Sequence, residues 1–416
     1  MLKNTPLKKE VLLKGIALGL KEALRLTLEN INPLSAENVD LAHCIDRVVA
    51  SDIYALVDSP SVDASLKDGY AVLSHEVARS TVKSPVRLKL LGSMAAGGER
   101  DISVRDGTTV RIFTGARVPT SADAVVSEEF TERSGSDVVI QTFSEPGRNI
   151  LPRGGDVAVG QCVIRRGQQI SAGIAGLLAA AGHHVVPAFK RPVIGIVGTG
   201  DEIVEPGKPL EQGKLYASNI VTLAGWCNKC GMEPRLLVTK DENEAISSTL
   251  KTLCEETDAV ITSGGAWIGD HDMMARVLQG LGWKELFHWV RIGPGKAVGF
   301  GILNGKPLFV LPGGPSSNFM AFLQIALPGL LALSGHANPG LPTMKAKLAS
   351  DLRGYDPNWT DFFLGTLGYD VELPTFYPIR MLSRLLPIAE ATAVASIPEG
   401  WDHVSAGSVI DIQLLK

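Results

Sequence analysis

The chain has 416 residues, of which 45% are hydrophobic and 20% charged, with a formal net charge of −4. That length exceeds what one hydrophobic core serves, so several domains are expected, and the composition excludes a disordered chain. The charge supplies no basic field for nucleic acid or anionic lipid, which removes both as partners. Five cysteines, Cys44, Cys162, Cys227, Cys230 and Cys254, are few and odd in number, pointing to a reducing, cytoplasmic compartment.

Near the start, Glu10 and Lys14 interrupt any apolar export segment. Residues 12–30 place Leu20, Ala23, Leu24 and Leu28 at helical spacing and stop at Asn32–Pro33, predicting an amphipathic helix. From about Val48 to Gly147 the runs VRLKLLG, TVRIFTG, DAVVSEE and DVVIQTF predict a β-rich domain. The turn-rich EPGRNILPRGGD leads through a short strand to SAGIAGLLAAAG, read as a tightly packed helix ending at Gly182.

From Pro192 strands and helices alternate. The order is PVIGIVGTG, a helix near 216–231, EPRLLVT, a helix from Glu242 to Glu256, DAVITSGG, a helix after Asp270, KPLFVLPGG and a helix over 315–333. This rhythm predicts a mostly parallel sheet covered by helices. Phe319–Leu333 is broken by Gln324 and Pro328 and is shorter than the roughly 20 residues of a membrane span, so it reads as a buried helix. Cys227 and Cys230 form a CxxC without the second pair a structural zinc needs and are taken as a helical turn. Trp226, Trp289 and Trp401 are expected in the core. After the linker HANPGLPTMKA, residues 344–416 predict a small β domain.

Three glycine-rich loops, GTGDE (198–202), TSGGAWIGDHD (262–272) and LPGGPSSN (311–318), each follow an apolar strand and precede a helix. Strand ends in such a sheet converge on one crevice, where amides and helix N-termini favour phosphate, and glycine lets the backbone approach the ligand. The residues expected to hold it are Gly198, Thr199, Gly200 and Asp201, then Ser263, Gly264, Gly265 and Gly269, then Pro312 and Gly313, with Ser218 and Asn219 at the helix start. No loop reads GxxxxGK[ST], and GTGDE lacks the GxGxxG pattern, which disfavours an ATPase or a dinucleotide dehydrogenase. Asp201, Glu202, Asp270 and Asp272 are expected metal ligands for Mg²⁺; the alternative for Asp201 or Asp270 is a helix cap, and His271 reads as a surface or capping residue.

These motifs resemble those of the molybdopterin molybdenumtransferase family (MoeA and the gephyrin E domain) from near the start of the chain to its end. The resemblance rests on DSPSVDASLKDGYAV (58–72), TGARVPTSADAVVSEE (114–129), RGGD (153–156), GTGDEIVEPGKPL (198–210), SGGAWIGDHD (263–272), GPGKAVGFG (293–301) and LPGGPSSN (311–318). It implies a multi-domain fold of α/β plus β-rich domains, with a central, mostly parallel, three-layer α/β/α molybdopterin-binding domain. The implied division is 1–55 with 147–172, then 56–146, 173–335 and 336–416. It further implies a homodimer that inserts molybdate into adenylylated molybdopterin and releases AMP with Mg²⁺, with molybdopterin-biosynthesis or target enzymes as further partners. Carried over, the family's functional residues fall on Asp63, Asp68, Thr114, Asp156, Glu202, Asp272 and Lys296, with Ser383 in the last domain.

The chain also departs from the family. Lys67 replaces a methionine, Gly155 an acid, Gly293 a lysine, Gly314 an asparagine and Ala217 the acid of YDxN, while Trp267 stands where a small polar residue is usual. Trp359 and Leu364 take the places of two arginines. Fewer cations predict weaker oxyanion capture unless Lys67, Arg291 or Arg384 compensates. Three readings therefore stand: an insertase for molybdate or a related oxyanion, a paralogue that binds molybdopterin or its nucleotide form as a carrier or assembly factor, and an unrelated sugar-phosphate or nucleotide enzyme that reuses the α/β domain.

Overall fold

The computed structural model describes residues 17–98, 102–265, 273–369, 373–380 and 383–416. The central body is a sheet of β1 (Val193–Thr199), β2 (Glu233–Thr239), β3 (Ala259–Ser263), β4 (Lys284–His288), β5 (Gly299–Leu303) and β6 (Lys306–Leu311). Its order is β2-β1-β3-β6-β5-β4; the first four strands are parallel, and β5 and β4 run antiparallel at one edge. Helices α1 (Ser218–Lys229), α2 (Asn243–Glu256), α3 (Met273–Gly280) and α4 (Pro315–Leu333) cover the two faces. All five residues of β3 are buried, as in a strand covered on both sides, with Thr262 and Ser263 bringing hydroxyls to its cleft end. The three-layer, mostly parallel expectation holds.

α4 has 19 residues and a mean hydropathy of 1.4, long and apolar enough to cross a membrane, yet 83% of that window is buried inside the protein. Gln324 on α4 donates to Gln413 Oε1 at 2.7 Å, tying the helix to the C-terminal sheet. It is a core helix. The described part of the first predicted helix, Leu20–Glu29, packs on it: a Cβ on Gly329 would lie 2.9 Å from Ile31 and 3.0 Å from Thr27.

The four β-like runs form Val86–Met94, Thr108–Ile112, Ala124–Ser127 and Asp137–Ile140, joined by Gly69–Val72 and Thr131–Ser134 in one six-stranded sheet. Helix Ala172–Ala180 begins at Ser171, whose Oγ accepts the Ile174 N–H at 3.3 Å. Leu178 on that helix shares a core with Val49, Ile53, Ile164 and Val186.

At the C-terminus, Thr360–Gly368 pairs with both Thr375–Pro378 and Ala393–Ile397, so the strands close into a ring that includes Thr343–Leu348 and Val409–Leu414. A short helix, Leu386–Glu390, interrupts what the sequence reads as purely β. Trp401, expected in the core, is 60% exposed because it follows the positive-φ turn at Gly400 (φ 95°) on the rim of the ring. Trp289 is buried as expected, and Cys227 and Cys230 close α1 as an ordinary turn. Ile292–Gly293 leaves the α/β body and pairs with Thr360 and Asp361, stitching the two bodies together.

Candidate functional site

Parallel register aligns the ends of three strands, with Gly198 opposite Ser263 and Ser263 opposite Leu311. The glycine loops therefore leave the sheet at one level, between β1 and β3, where the strand order reverses direction. That is the position at which open α/β sheets bind ligands. A cleft of about 920 Å³ opens there, lined by Gly198, Thr199, Gly200, Glu202, Ser218, Asn219, Ser263, Gly264, Gly265, Gly313 and Ser383 among the expected residues.

Two of the glycines are required by geometry. Gly264 has φ 110°, and a Cβ there would sit 2.5 Å from the Thr199 carbonyl oxygen; at Gly200 (φ 149°) it would sit 2.6 Å from Glu202 Oε2. Any side chain would strain the backbone and close the cleft. Ser263 binds the loops together, because its Oγ accepts from Asn318 Nδ2 at 3.0 Å and Asn219 Nδ2 at 3.3 Å. The same two amides reach the third loop, Asn318 to Pro312 O at 2.9 Å and Asn219 to Gly313 O at 2.8 Å.

Ala217 and Gly314, the N-cap residues of α1 and α4, both line the cleft, and neither helix has a side-chain cap. Replacing the acid by Ala217 thus leaves the first amides of α1 open, and with α4 they present two positive dipole ends to an anion. Thr199 Oγ1, buried beside Gly264, has no hydrogen-bond partner among the described residues.

Negative charge gathers at the other wall. Asp241, after β2, lines the cleft, and its backbone N–H donates to Asp201 Oδ1 at 3.3 Å. Partial burial, then the charges of Asp201 and Glu202, raises its pKa above that of an ordinary aspartate. This crowding fits a divalent cation, the group that would relieve it. Among the described residues no three His, Cys, Asp or Glu side chains are arranged as a ligand set. Asp270 and Asp272, with Gly269, His271 and Trp267, lie outside the described residues.

The remaining expected residues stand elsewhere. Lys296 is exposed with Nζ 5.9 Å from the Trp359 ring centroid, away from the cleft lining. Asp68 Oδ1 accepts both the N–H (2.7 Å) and the Oγ1–H (2.8 Å) of Thr114, which lowers its pKa. Asp63 Oδ1 accepts the Arg153 N–H at 2.8 Å, and Asp156 donates its N–H to Ser59 O at 2.9 Å. These four belong to the β-rich sheet and its linker, outside the cleft lining. Of the compensating cations, Arg384 lines the cleft, whereas Arg291 is occupied by Ala17 O (2.6 Å), Asn358 O (3.2 Å) and Glu399 (3.2 Å). Gly293 and Leu364, expected from the resemblance to be places where a cation is missing, line a separate cavity of about 330 Å³ together with Arg353 and Asp361.

Asp241 and Asn318 were not singled out by the sequence. Asn318 had a signal, closing the third loop's motif; Asp241 had none, since nothing local marks the end of a neighbouring strand as acidic wall.

An α/β/α body with a glycine-loop cleft at its switch point, joined to two β sheets, defines the class to which the chain compares. Residues 18–182 match the model of the MoeA N-terminal region (domains I and II), and residues 195–332 match the probable molybdopterin binding domain. A molybdopterin molybdenumtransferase from a Nostoc species is 30% identical over 386 residues, covering 91% of this chain and 88% of that one. The Staphylococcus aureus (strain MSSA476) molybdopterin molybdenumtransferase is 29% identical over 399 residues, 95% of each chain. The crystal structure of the molybdopterin biosynthesis moeA protein from Pyrococcus horikoshii superimposes with a TM-score of 0.81 at 28% identity, over 96% of this chain and 100% of that chain. The chain belongs to the molybdopterin molybdenumtransferase family.

Proposed function

We propose that this protein holds adenylylated molybdopterin in the glycine-loop cleft and inserts molybdate, or a related oxyanion, at its dithiolene with release of AMP, in molybdenum cofactor biosynthesis. The observation that carries this reading is the convergence of three in-register strand ends and two uncapped helix N-termini on one cleft. Amides and helix dipoles are the donors a phosphoanhydride needs, and Thr199 Oγ1 adds one more. The two thiols displace one oxo group of molybdate, which leaves with their protons as water, and a water molecule adds across the phosphoanhydride, leaving the phosphate on the pterin and setting AMP free.

Asp201, Glu202, Asp270 and Asp272 would hold Mg²⁺, which supplies charge neutralisation for the anhydride oxygens. Lys296 and Ser383 are assigned to oxyanion and cofactor contact. The protein acts as a homodimer in which Asp63, Asp68, Thr114 and Asp156 reach the partner's cleft. The domain division of the sequence reading is retained with it, as is a cytoplasmic location, in keeping with five free cysteines.

A second reading, binding of molybdopterin without metal insertion, is favoured by the cavity at Gly293 and Leu364, where neither position is a cation and Arg353 is the one lining cation among the described residues. Incubating the protein with adenylylated molybdopterin, Mg²⁺ and molybdate or tungstate separates the two. AMP release that depends on the oxyanion supports insertion; tight binding without such release supports the carrier.

A further inference from the structure

We propose that the cavity between the α/β body and the C-terminal ring is a subsite for the flat pterin ring, gripped along its amino-pyrimidinone edge by Asp361. This rests on the reading that the neighbouring cleft holds molybdopterin, and it places the substrate's other end. The two spaces adjoin: Gly314 and Pro315 line the cleft, Ser316 lines the cavity, and Ser316 Oγ donates to the carbonyl of cleft residue Arg384 at 3.3 Å.

At about 330 Å³ the cavity is at the small end of ligand sites, and Pro294, Met320, Phe362, Leu364 and Ile379 give it apolar walls. Into that setting projects the carboxylate of Asp361, whose residue is only 8% exposed. Its Oδ2 accepts the Tyr355 N–H at 2.6 Å, while Oδ1 receives no hydrogen bond from any described residue. Two glycines make room for it. A Cβ on Gly354 would stand 3.0 Å from Oδ2, and one on Gly293 would fall well inside contact distance of Oδ1. Gly293 is thus the residue that lets the acid face the cavity.

A carboxylate oxygen that faces a cavity and takes no hydrogen bond from a described residue is an acceptor open to a ligand's donor. An oxyanion would meet the like charge of Asp361 at short range, with Arg353 as the one lining cation among the described residues to offset it. A bare divalent cation would find a single carboxylate and the like charge of Arg353, too few oxygens to replace its water. A flat ring with an adjacent N–H and NH₂ satisfies both demands, offering two parallel donors to the carboxylate and apolar faces to the walls. Pterins carry that edge, and so does guanine.

The test titrates full-length protein with neopterin, a soluble pterin, following its fluorescence, and in parallel with AMP, molybdate and guanosine. Neopterin is expected to bind saturably; Asp361→Asn, which keeps the Tyr355 contact, weakens it about tenfold or more, and Leu364→Trp, which fills the cavity, abolishes it. AMP affinity stays unchanged in both. Equal neopterin affinity in wild type and Asp361→Asn, displacement of neopterin by molybdate, or tighter Asp361-dependent binding of guanosine than of neopterin overturns the proposal. Loss of AMP binding with Asp361-dependent neopterin binding intact refutes the cleft reading and leaves the subsite standing.

Discussion

The cleft and the seam cavity are neighbours built on opposite principles. The cleft is made of backbone: amides at three strand ends, two helix N-termini and glycines whose place is set by sheet register. The cavity is made of side chains from four separate stretches, near 293, 316, 353–364 and 379. A backbone site tolerates sequence change as long as the fold and its glycines persist, whereas a side-chain site is rewritten by one substitution. Ala217 leaves the first helix amides without a side-chain cap, whereas Asp361 and Leu364 make the neighbouring space largely apolar and acidic, with Arg353 as the one lining cation among the described residues.

The sharpest break is Gly264→Val. With φ 110° and the Thr199 carbonyl 2.5 Å from the new Cβ, it is expected to cost about 2 kcal/mol or more in thermal unfolding and to abolish AMP binding. A variant that keeps both would show that the cleft is not backbone-built. Next is Leu364→Arg at a 6% exposed position, which sets a guanidinium beside Asp361. A stability loss of about 1–3 kcal/mol and a tenfold weaker neopterin titration are expected, with AMP affinity retained.

Asp241→Asn tests the acidic wall with a smaller effect of opposite sign. The folded pKa of Asp241 is raised, so the ionised form is disfavoured and folding loses stability as pH rises through it. The variant should melt higher than wild type at pH 7, with the gap closing as pH falls toward the ordinary aspartate value of about 3.9. If Mg²⁺ sits beside this wall, it raises the wild-type melting temperature more than the variant's. Smallest is alkylation: burial pushes the Cys227 thiol up to about 12, so iodoacetamide applied to folded protein at pH 8 should leave it unmodified by mass spectrometry.

Much of the cleft was legible in advance because its causes are local. An apolar run, a glycine and a helix start lie within a few residues of one another, and three repeats of that order imply a parallel sheet and a crevice. The helices over 218–229 and 243–256 and the buried character of 315–333 follow from period and composition in the same way. Lys296 shows the limit, since its motif marks it but only packing sets it above Trp359.

By itself, then, the sequence determined the strand–loop–helix rhythm, the glycines at strand ends and the family, all properties of short stretches. Tertiary structure alone decided that Asp241 joins Asp201 and Glu202, that Asn219 and Asn318 meet on Ser263, that Arg291 is occupied, and that Asp361 faces a cavity through Gly293. Those partners lie tens of residues apart, and hydrogen bonds and charge act over a few ångströms of space, whatever the distance along the chain.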